Sequence, residues 1–223
     1  MPSPDDRPTD APTRARRLVV MDVDSTLITA EVIELLAAHA GSRAQVAAIT
    51  DRAMRGEIDF ATSLHERVAT LAGLPVAVLD DVRAELELTP GARELLTELH
   101  RRDWPVGLVS GGFAEVVEPL AASLGITRTR ANRLEVAGGR LTGRVRGAVV
   151  DRAAKEAALR EYAAAEGIDL AHTIAIGDGA NDLAMLAAAG FSVAFNAKPL
   201  VRQAADVAVD GRLDAVLELV DNA

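Results

Sequence analysis

The stretch Leu18-Val19-Val20-Met21-Asp22-Val23-Asp24-Ser25-Thr26 places two carboxylates, two residues apart, directly after four apolar residues. A short apolar run that ends at a polar loop is typical of a buried β-strand. Side chains two apart on an ideal strand share a face, so Asp22 and Asp24 are expected to point toward one place beyond the strand. Taken alone, such a pair of acids is also what a solvated strand end or a turn would show.

Helical patterns follow this first strand, and the signals for helix ends divide them into four segments. The first runs from Glu31 to Ala40, where Gly41 stops it. The others are a helix capped by Ser42 that runs toward Arg55, one from the N-cap Asp59 through Leu71, and one that Pro75 opens and that ends near Leu86.

From the break at Thr89-Pro90-Gly91 onward, predicted strands and helices alternate. This alternation predicts an α/β fold, namely a Rossmann-like parallel sheet with helices on both faces. The helical block of residues 31–88 interrupts the alternation, so we interpret it as an inserted helical cap domain on a core formed by residues 18–30 and 89–223. Residues 1–17 are rich in Pro, Asp, Arg and Thr and predict a disordered tail.

Three more polar features follow the first strand along the chain. They are the segment Ser110-Gly111-Gly112, the single residue Lys155, and the loop from Gly177 to Asp182. In open parallel sheets, ligands bind beyond the carboxyl ends of the strands. We therefore expect these features to share one site with the acids of the first strand.

The acids of this expected site suggest phosphate chemistry with a metal ion. Carboxylates can form covalent phospho-intermediates, which makes Asp22 a candidate nucleophile and Asp24 a candidate proton carrier. Mg²⁺ in proteins is held by a few carboxylates, waters and a substrate phosphate, and Asp22 and Asp178 supply two acids. Asn181 and Asp182 add polar groups to the same loop, although a single Asp there would also serve as an ordinary helix N-cap.

A phosphate group beside carboxylates also needs positive charge and hydrogen-bond donors. Ser110 offers a hydroxyl, and the glycines after it offer accessible backbone N–H groups near a helix start. The chain uses arginine almost everywhere, and its lysines are Lys155 and Lys198. A compact ammonium at Lys155 suits a phosphoryl site better than a planar guanidinium would; a solvated helix lysine is the plain alternative.

Composition narrows the class of protein. The formal net charge of −9 argues against a nucleic-acid surface, and the absence of cysteine excludes disulfides, thiol catalysis and zinc–thiolate sites. No apolar run approaches the ~20 residues that span a bilayer. No P-loop and no G-x-G-x-x-G after the first strand is present, which disfavours P-loop kinases and dinucleotide enzymes. We expect a cytoplasmic protein without nucleic-acid or membrane partners, as a monomer or a weak homodimer.

Taken together, the four motifs resemble those of the haloacid dehalogenase-like phosphatases. The resemblance is closer to the members that act on O-phosphoserine, and it extends from about Leu18 to the C-terminus. The segments that carry it are Asp22-x-Asp24-x-Thr26, Ser110-Gly-Gly-Phe, Ala131-Asn-Arg-Leu, Leu141-Thr-Gly, Lys155, Gly177-Asp178-x-x-x-Asp182 and Ala197-Lys-Pro.

This resemblance implies Mg²⁺-dependent hydrolysis of O-phosphoserine to serine and phosphate, the last step of serine synthesis. Asp22 would be the nucleophile that becomes an aspartyl phosphate. Asp24 would be the general acid and base. Mg²⁺ would be held by Asp22, the backbone carbonyl of Asp24, and Asp178.

The resemblance also implies groups that hold the phosphate. Ser110, the Gly111 backbone and Lys155 would bind the phosphoryl group. Asn181 would border the substrate and, with Asp182, support the metal and the lysine.

Substrate choice would lie in the helical block, because phosphoserine carries an ammonium and a carboxylate besides its phosphate. By the same resemblance, Glu31 would meet the ammonium and Arg67 the carboxylate, and the guanidinium fork suits a carboxylate. Met54 and Phe60 would form an apolar wall. Without the resemblance, these four residues would be ordinary helix-surface or core positions.

Three rival functions remain open at this point. The same core could act on another small phosphomonoester, or could transfer the phosphoryl group to an alcohol. A non-catalytic binding protein is disfavoured by the intact set of Asp22, Asp24, Lys155 and Asp178. Many bacterial relatives carry an N-terminal amino-acid-binding domain, and we expect no feedback control through such a domain here.

Overall fold

Seven strands form one sheet in the part of the chain that the computed structural model describes, residues 16–221. The sheet order is β4-β3-β2-β1-β5-β6-β7, and neighbouring strands are parallel except for the antiparallel pair β3–β4. This confirms the predicted α/β fold. The strands are β1 (Leu18–Met21), β2 (Val106–Phe113), β3 (Arg128–Ala137), β4 (Arg140–Arg146), β5 (Thr173–Gly177), β6 (Phe191–Phe195) and β7 (Val207–Val209).

Helices separate and follow these strands. Five of them lie between β1 and β2, and the rest alternate with the later strands or close the described range. They are α1 (Val32–Ala40), α2 (Arg43–Met54), α3 (Phe60–Ala69), α4 (Val78–Glu85), α5 (Ala92–Arg101), α6 (Ala114–Ser123), α7 (Arg152–Glu166), α8 (Leu183–Ala188), α9 (Pro199–Ala204) and α10 (Val216–Asp221).

The central strand β1 is buried on both faces, and its side chains alternate between two apolar clusters. Leu18 and Val20 belong to a cluster with Leu159 of α7. Val19 and Met21 belong to the other cluster, which also contains residues of α1, α3 and α4. The period of two is that of an ideal strand. The helices between β1 and β2 thus share one core with the sheet, and the division into core and cap stays a prediction.

The predicted helix boundaries in residues 31–88 differ from the structure at two places. Ser42 precedes α2 but its side chain does not cap that helix; its Oγ lies 3.1 Å from Thr70 Oγ1. The fourth helix begins at Val78 instead of Pro75, because Pro75 forms a bridge with Arg140 and the backbone N–H of Val76 donates to the carbonyl of Gly139 at 2.9 Å.

Strand β2 is longer than its apolar run predicts. It continues through Ser110-Gly111-Gly112 to Phe113, with an irregular register against β3 between Val109 and Phe113. Strand β3 begins at Arg128, where it pairs with β2, ahead of its antiparallel pairing with β4 from Arg133 onward. The extent of both strands depends on pairing with a partner strand that is distant in sequence.

The predicted tail of residues 1–17 lies outside the described residues except for Arg16 and Arg17. These two side chains contact the rest of the molecule, which corrects the tail boundary. Arg16 pairs with Glu166 at 2.8 Å, and Arg17 donates to the carbonyl of Val220 at 3.1 Å. Among the helices of residues 16–221, none has the length and apolar character needed to cross a bilayer.

Candidate active site

The acids after β1 and β5 meet at the carboxyl edge of the sheet. Asp22 directly follows β1, and its backbone N–H donates to the carbonyl of Ile176 in the neighbouring β5 at 3.0 Å. Thr26 Oγ1 donates to Asp178 Oδ1 at 3.4 Å. Carboxylate oxygens of Asp22, Asp178 and Asp182 all lie within 4.8 Å of one another. The sequence motifs are therefore brought to one place by adjacent parallel strands.

Lys155 ties two of these acids together. Its Nζ lies 2.7 Å from Asp22 Oδ2 and donates to Asp182 Oδ1 at 2.6 Å, and both Lys155 and Asp182 are fully buried. Burial by itself would lower the pKa of the ammonium, but attraction by Asp182 and Asp22 raises the pKa above its usual value. The lysine stands in the first turn of α7, a helix that Asp151 caps through the N–H of Ala154 at 2.9 Å.

The acidic cluster suits a divalent cation. Burial, and then repulsion by Asp182, raise the pKa of Asp22 well above its usual range despite the contact with Lys155. Burial, and then Asp182, also raise the pKa of Asp178 to about 6. Both shifts indicate carboxylates with too little positive charge nearby, and oxygen ligands at this spacing fit Mg²⁺. Asp182 accepts hydrogen bonds from Lys155 and, at 3.0 Å, from the Gly179 N–H. Its two oxygens therefore hold the lysine and the loop after β5 in place.

Asp24 lies two residues after Asp22, just beyond the end of β1. Its Oδ1 is buried and has no hydrogen-bond partner among the described residues. Burial, followed by repulsion from Glu31, raises its pKa to about 8. A carboxyl group that keeps its proton at neutral pH can donate it to a leaving group. Gly112 permits this position, since a Cβ at Gly112 would lie 2.7 Å from Asp24 Oδ2.

Ser110 and Gly111 stand in β2, the strand on the far side of β1 from β5. Ser110 is fully buried, and its Oγ accepts a hydrogen bond from the Gly112 N–H at 2.7 Å. The carbonyl of Gly111 accepts from Asn132 Nδ2 at 2.8 Å. These bonds fix the glycine segment, and Gly111 lines the same cavity as Asp22 and Asp24.

A cavity of about 430 Å³ opens above these groups. The structure places every sequence-predicted residue of the helical block on its wall, namely Glu31, Met54, Phe60 and Arg67. It also brings Asn181 and Asp178 to the cavity from the loop after β5. Ser110, Lys155 and Asp182 lie beneath this lining, where Lys155 and Asp182 contact each other.

Sequence reasoning missed two basic residues of the cavity, Arg152 and Lys198. Arg152 precedes Lys155 by three residues on α7, a spacing that puts two side chains on one helix face. Lys198 is the other lysine of the chain, and its positive charge opposes the rise in the pKa of Asp178 that burial causes. Smaller residues that were also missed include Thr50, Ile58, Ser63 and Leu64.

Comparison with known proteins agrees with this geometry. The model of the haloacid dehalogenase-like hydrolase family matches residues 19–187. The chain belongs to this family.

Relatives within the family are phosphoserine phosphatases. The chain is 61% identical over 208 residues to the one from Streptomyces coelicolor, covering 93% of this chain and 51% of that protein. It is 51% identical to the one from Streptococcus thermophilus, and the match covers 94% of this chain and 98% of that protein. The chain thus spans about half the length of the first relative and nearly all of the second. A structure of a phospho-aspartyl intermediate analogue of phosphoserine phosphatase superposes with a TM-score of 0.87 at 39% identity, covering 92% of this chain and 99% of that one.

Proposed function

We propose that this protein hydrolyses O-phosphoserine to serine and phosphate, with Mg²⁺ as cofactor and an aspartyl phosphate as intermediate. The observation that carries the proposal is the environment of Asp22, a buried carboxylate 2.7 Å from the Lys155 ammonium with Asp24 two residues away. The nucleophile and the proton carrier then face one cavity, and a fixed positive charge lies directly beneath the nucleophile. The names of the similar proteins support the same substrate.

In the first half of the reaction, a carboxylate oxygen of Asp22 attacks the phosphorus and the bond from phosphorus to the seryl oxygen breaks. Asp24 gives its proton to that oxygen, so serine leaves as a neutral alcohol. The pKa of about 8 keeps Asp24 protonated for this step at neutral pH. Lys155 and the Ser110 hydroxyl hold the phosphoryl oxygens, where negative charge is shared in the transition state.

In the second half, water attacks the phosphorus of the aspartyl phosphate. Asp24, now a carboxylate, takes a proton from the water, and the bond between phosphorus and Asp22 breaks to release phosphate. Asp22, the Asp24 carbonyl and Asp178 would hold Mg²⁺. The chemistry that Mg²⁺ supplies when bound is electrostatic, since it offsets charge on the transferring oxygens.

The cavity wall supports an amino-acid substrate. Glu31 offers a carboxylate for the ammonium, and Arg67 a guanidinium for the carboxylate. Burial lowers the pKa of Arg67, but nearby Glu31 and Asp24 oppose that shift. Phe60 lies beside Gly111, since a Cβ added at Gly111 would be 3.1 Å from the ring tip, and Met54 adds apolar surface at the outer wall.

One assay tests the proposal directly. Phosphate release from O-phosphoserine is measured with Mg²⁺ and after chelation, and we expect activity only with the metal. Serine is measured in parallel, because equal amounts of serine and phosphate exclude phosphoryl transfer to another alcohol. Phosphoethanolamine and an aryl phosphate serve as comparison substrates. Equal rates on phosphoethanolamine and phosphoserine would contradict the proposed substrate.

A further inference from the structure

Ser25 has an unusual backbone conformation for its residue type. Its φ of 58° and ψ of 5° lie in the left-handed region, next to the catalytic candidate Asp24. The other non-glycine residues with positive φ in residues 16–221 are Asp103 and Asn196, whose residue types tolerate that region better. A conformation of this kind persists only where the surroundings hold it, and it is often found at functional sites.

The conformation directs the Ser25 hydroxyl to Glu31. Ser25 Oγ donates to Glu31 Oε1 at 2.7 Å, and both residues are half-buried. Glu31 stands at the N-cap position of α1 but forms no side-chain hydrogen bond to the helix. Its carboxylate is therefore not used as a helix cap; it lines the cavity and is tethered from the turn after β1.

The tether matters because Glu31 has charged neighbours on two sides. Glu31 and Asp24 repel each other, and Glu31 and Arg67 attract each other. Without the tether, repulsion by Asp24 would displace the Glu31 carboxylate from its present position. Arg67 is held separately, because its Nε–H donates to the carbonyl of Ser63 at 3.3 Å. The two groups are thus kept available to a ligand with both an ammonium and a carboxylate.

We propose that Ser25 is a positioning residue, whose hydroxyl holds the Glu31 carboxylate where the ammonium of the substrate binds. This inference rests on the proposed function, because it presupposes that Glu31 meets an ammonium. It adds that specificity for amine-bearing phosphomonoesters depends on a residue of the catalytic turn itself.

The test uses two substitutions and two substrates. Ser25→Gly removes the hydroxyl and accepts the left-handed backbone, whereas Ser25→Ala removes the hydroxyl and keeps the Cβ. The substrates are O-phosphoserine and 3-phosphooxypropanoate, which has the same phosphate and carboxylate without the ammonium. Both variants should lose about tenfold in kcat/KM for phosphoserine, mainly through KM, since the lost hydrogen bond involves a charged group. The kcat/KM for 3-phosphooxypropanoate should change less than about twofold, because this substrate has no ammonium for Glu31 to meet and loses no hydrogen bond of its own.

A double-mutant cycle shows whether Ser25 acts through Glu31. Glu31→Gln should lower kcat/KM for phosphoserine, and Ser25→Gly in that background should cause no further loss. Additive losses would overturn the inference. So would a fall in kcat for both substrates, or a clear difference between Ser25→Gly and Ser25→Ala, because either result means that the residue only shapes the turn. Thermal unfolding confirms that each variant is folded.

The same data separate this inference from the proposed function. If the wild-type protein hydrolyses both compounds equally well, the proposed substrate is wrong and the role of Ser25 is overturned with it. If the wild type prefers phosphoserine and Ser25→Gly keeps that preference, the role of Ser25 alone is overturned.

Discussion

The floor and the roof of the cavity are built differently. The floor consists of Asp22 and Asp178 at the ends of adjacent strands, above the fully buried Lys155 and Asp182, and Lys155 forms short ion pairs with Asp22 and Asp182. The roof (Glu31, Met54, Phe60 and Arg67) consists of half-buried or exposed side chains on helices and their ends, with Met54 64% exposed. A fixed floor suits chemistry that is the same for every phosphomonoester, and a separate roof suits the choice among them.

The first prediction tests the floor by removing its proposed nucleophile, Asp22. Asp22→Asn keeps the shape of the side chain and loses its negative charge. We expect phosphate release to fall by about 10⁴-fold or more, as for other covalent nucleophiles, on every substrate. Circular dichroism should show an unchanged fold, because Lys155 keeps its bond to Asp182. Substantial activity in this variant would rule out covalent catalysis by Asp22.

The second prediction concerns the lysine beneath the floor. Lys155→Met has similar volume but leaves Asp22 and Asp182 buried without their common cation. Breaking a buried ion pair from one side costs about 3–5 kcal/mol, so urea unfolding should show a loss of stability of that size. Activity should fall about 10³-fold with the loss of the charge that faces the phosphoryl group.

An arginine in a solvated pair provides the control for that measurement. Arg160 pairs with Glu156 on the exposed side of α7 at 2.8 Å. Arg160→Met should change stability by less than about 1 kcal/mol, because exposed pairs contribute little. If the two substitutions cost the same, the buried network is not what holds the floor together.

The third prediction compares two adjacent glycines, one beside the proton donor Asp24 and one beside Phe60 of the roof. A Cβ at Gly112 would lie 2.7 Å from Asp24 Oδ2, whereas a Cβ at Gly111 would lie 3.1 Å from the ring tip of Phe60. Gly112→Ala should therefore lower kcat by about 10²-fold, since it displaces the proton donor. Gly111→Ala should act mainly on KM, because the Phe60 ring can move aside. Equal kcat losses in the two variants would contradict the separation of floor and roof.

The floor was predictable from sequence because each of its acids follows an apolar run that forms a central parallel strand. Asp22 after β1 and Asp178 after β5 needed only the rule that ligands bind at the carboxyl ends of strands. The start of α4 was not predictable, because it depends on the bridge between Pro75 and Arg140, which are far apart in sequence.

The roof was predictable only by resemblance. Glu31 and Arg67 carry no local signal that separates them from solvated helix residues, and their place on the cavity wall results from packing of the helices over the sheet. Arg152 and Lys198 were missed for the same reason, although helical spacing from Lys155 was available for Arg152.

The smallest expected effect is also the sharpest test of the roof. Arg67→Met keeps much of the apolar stem and removes the guanidinium fork, so KM for phosphoserine should rise about 10- to 100-fold, as for a lost charged hydrogen bond. KM for phosphoethanolamine, which has no carboxylate, should stay nearly constant. Arg52→Met is the matched control, because Arg52 is also in the helical block but pairs with Glu66 at 2.6 Å outside the cavity lining. If Arg67→Met weakened both substrates equally, Arg67 would serve packing and not recognition, and the choice of substrate would have to lie in the floor after all.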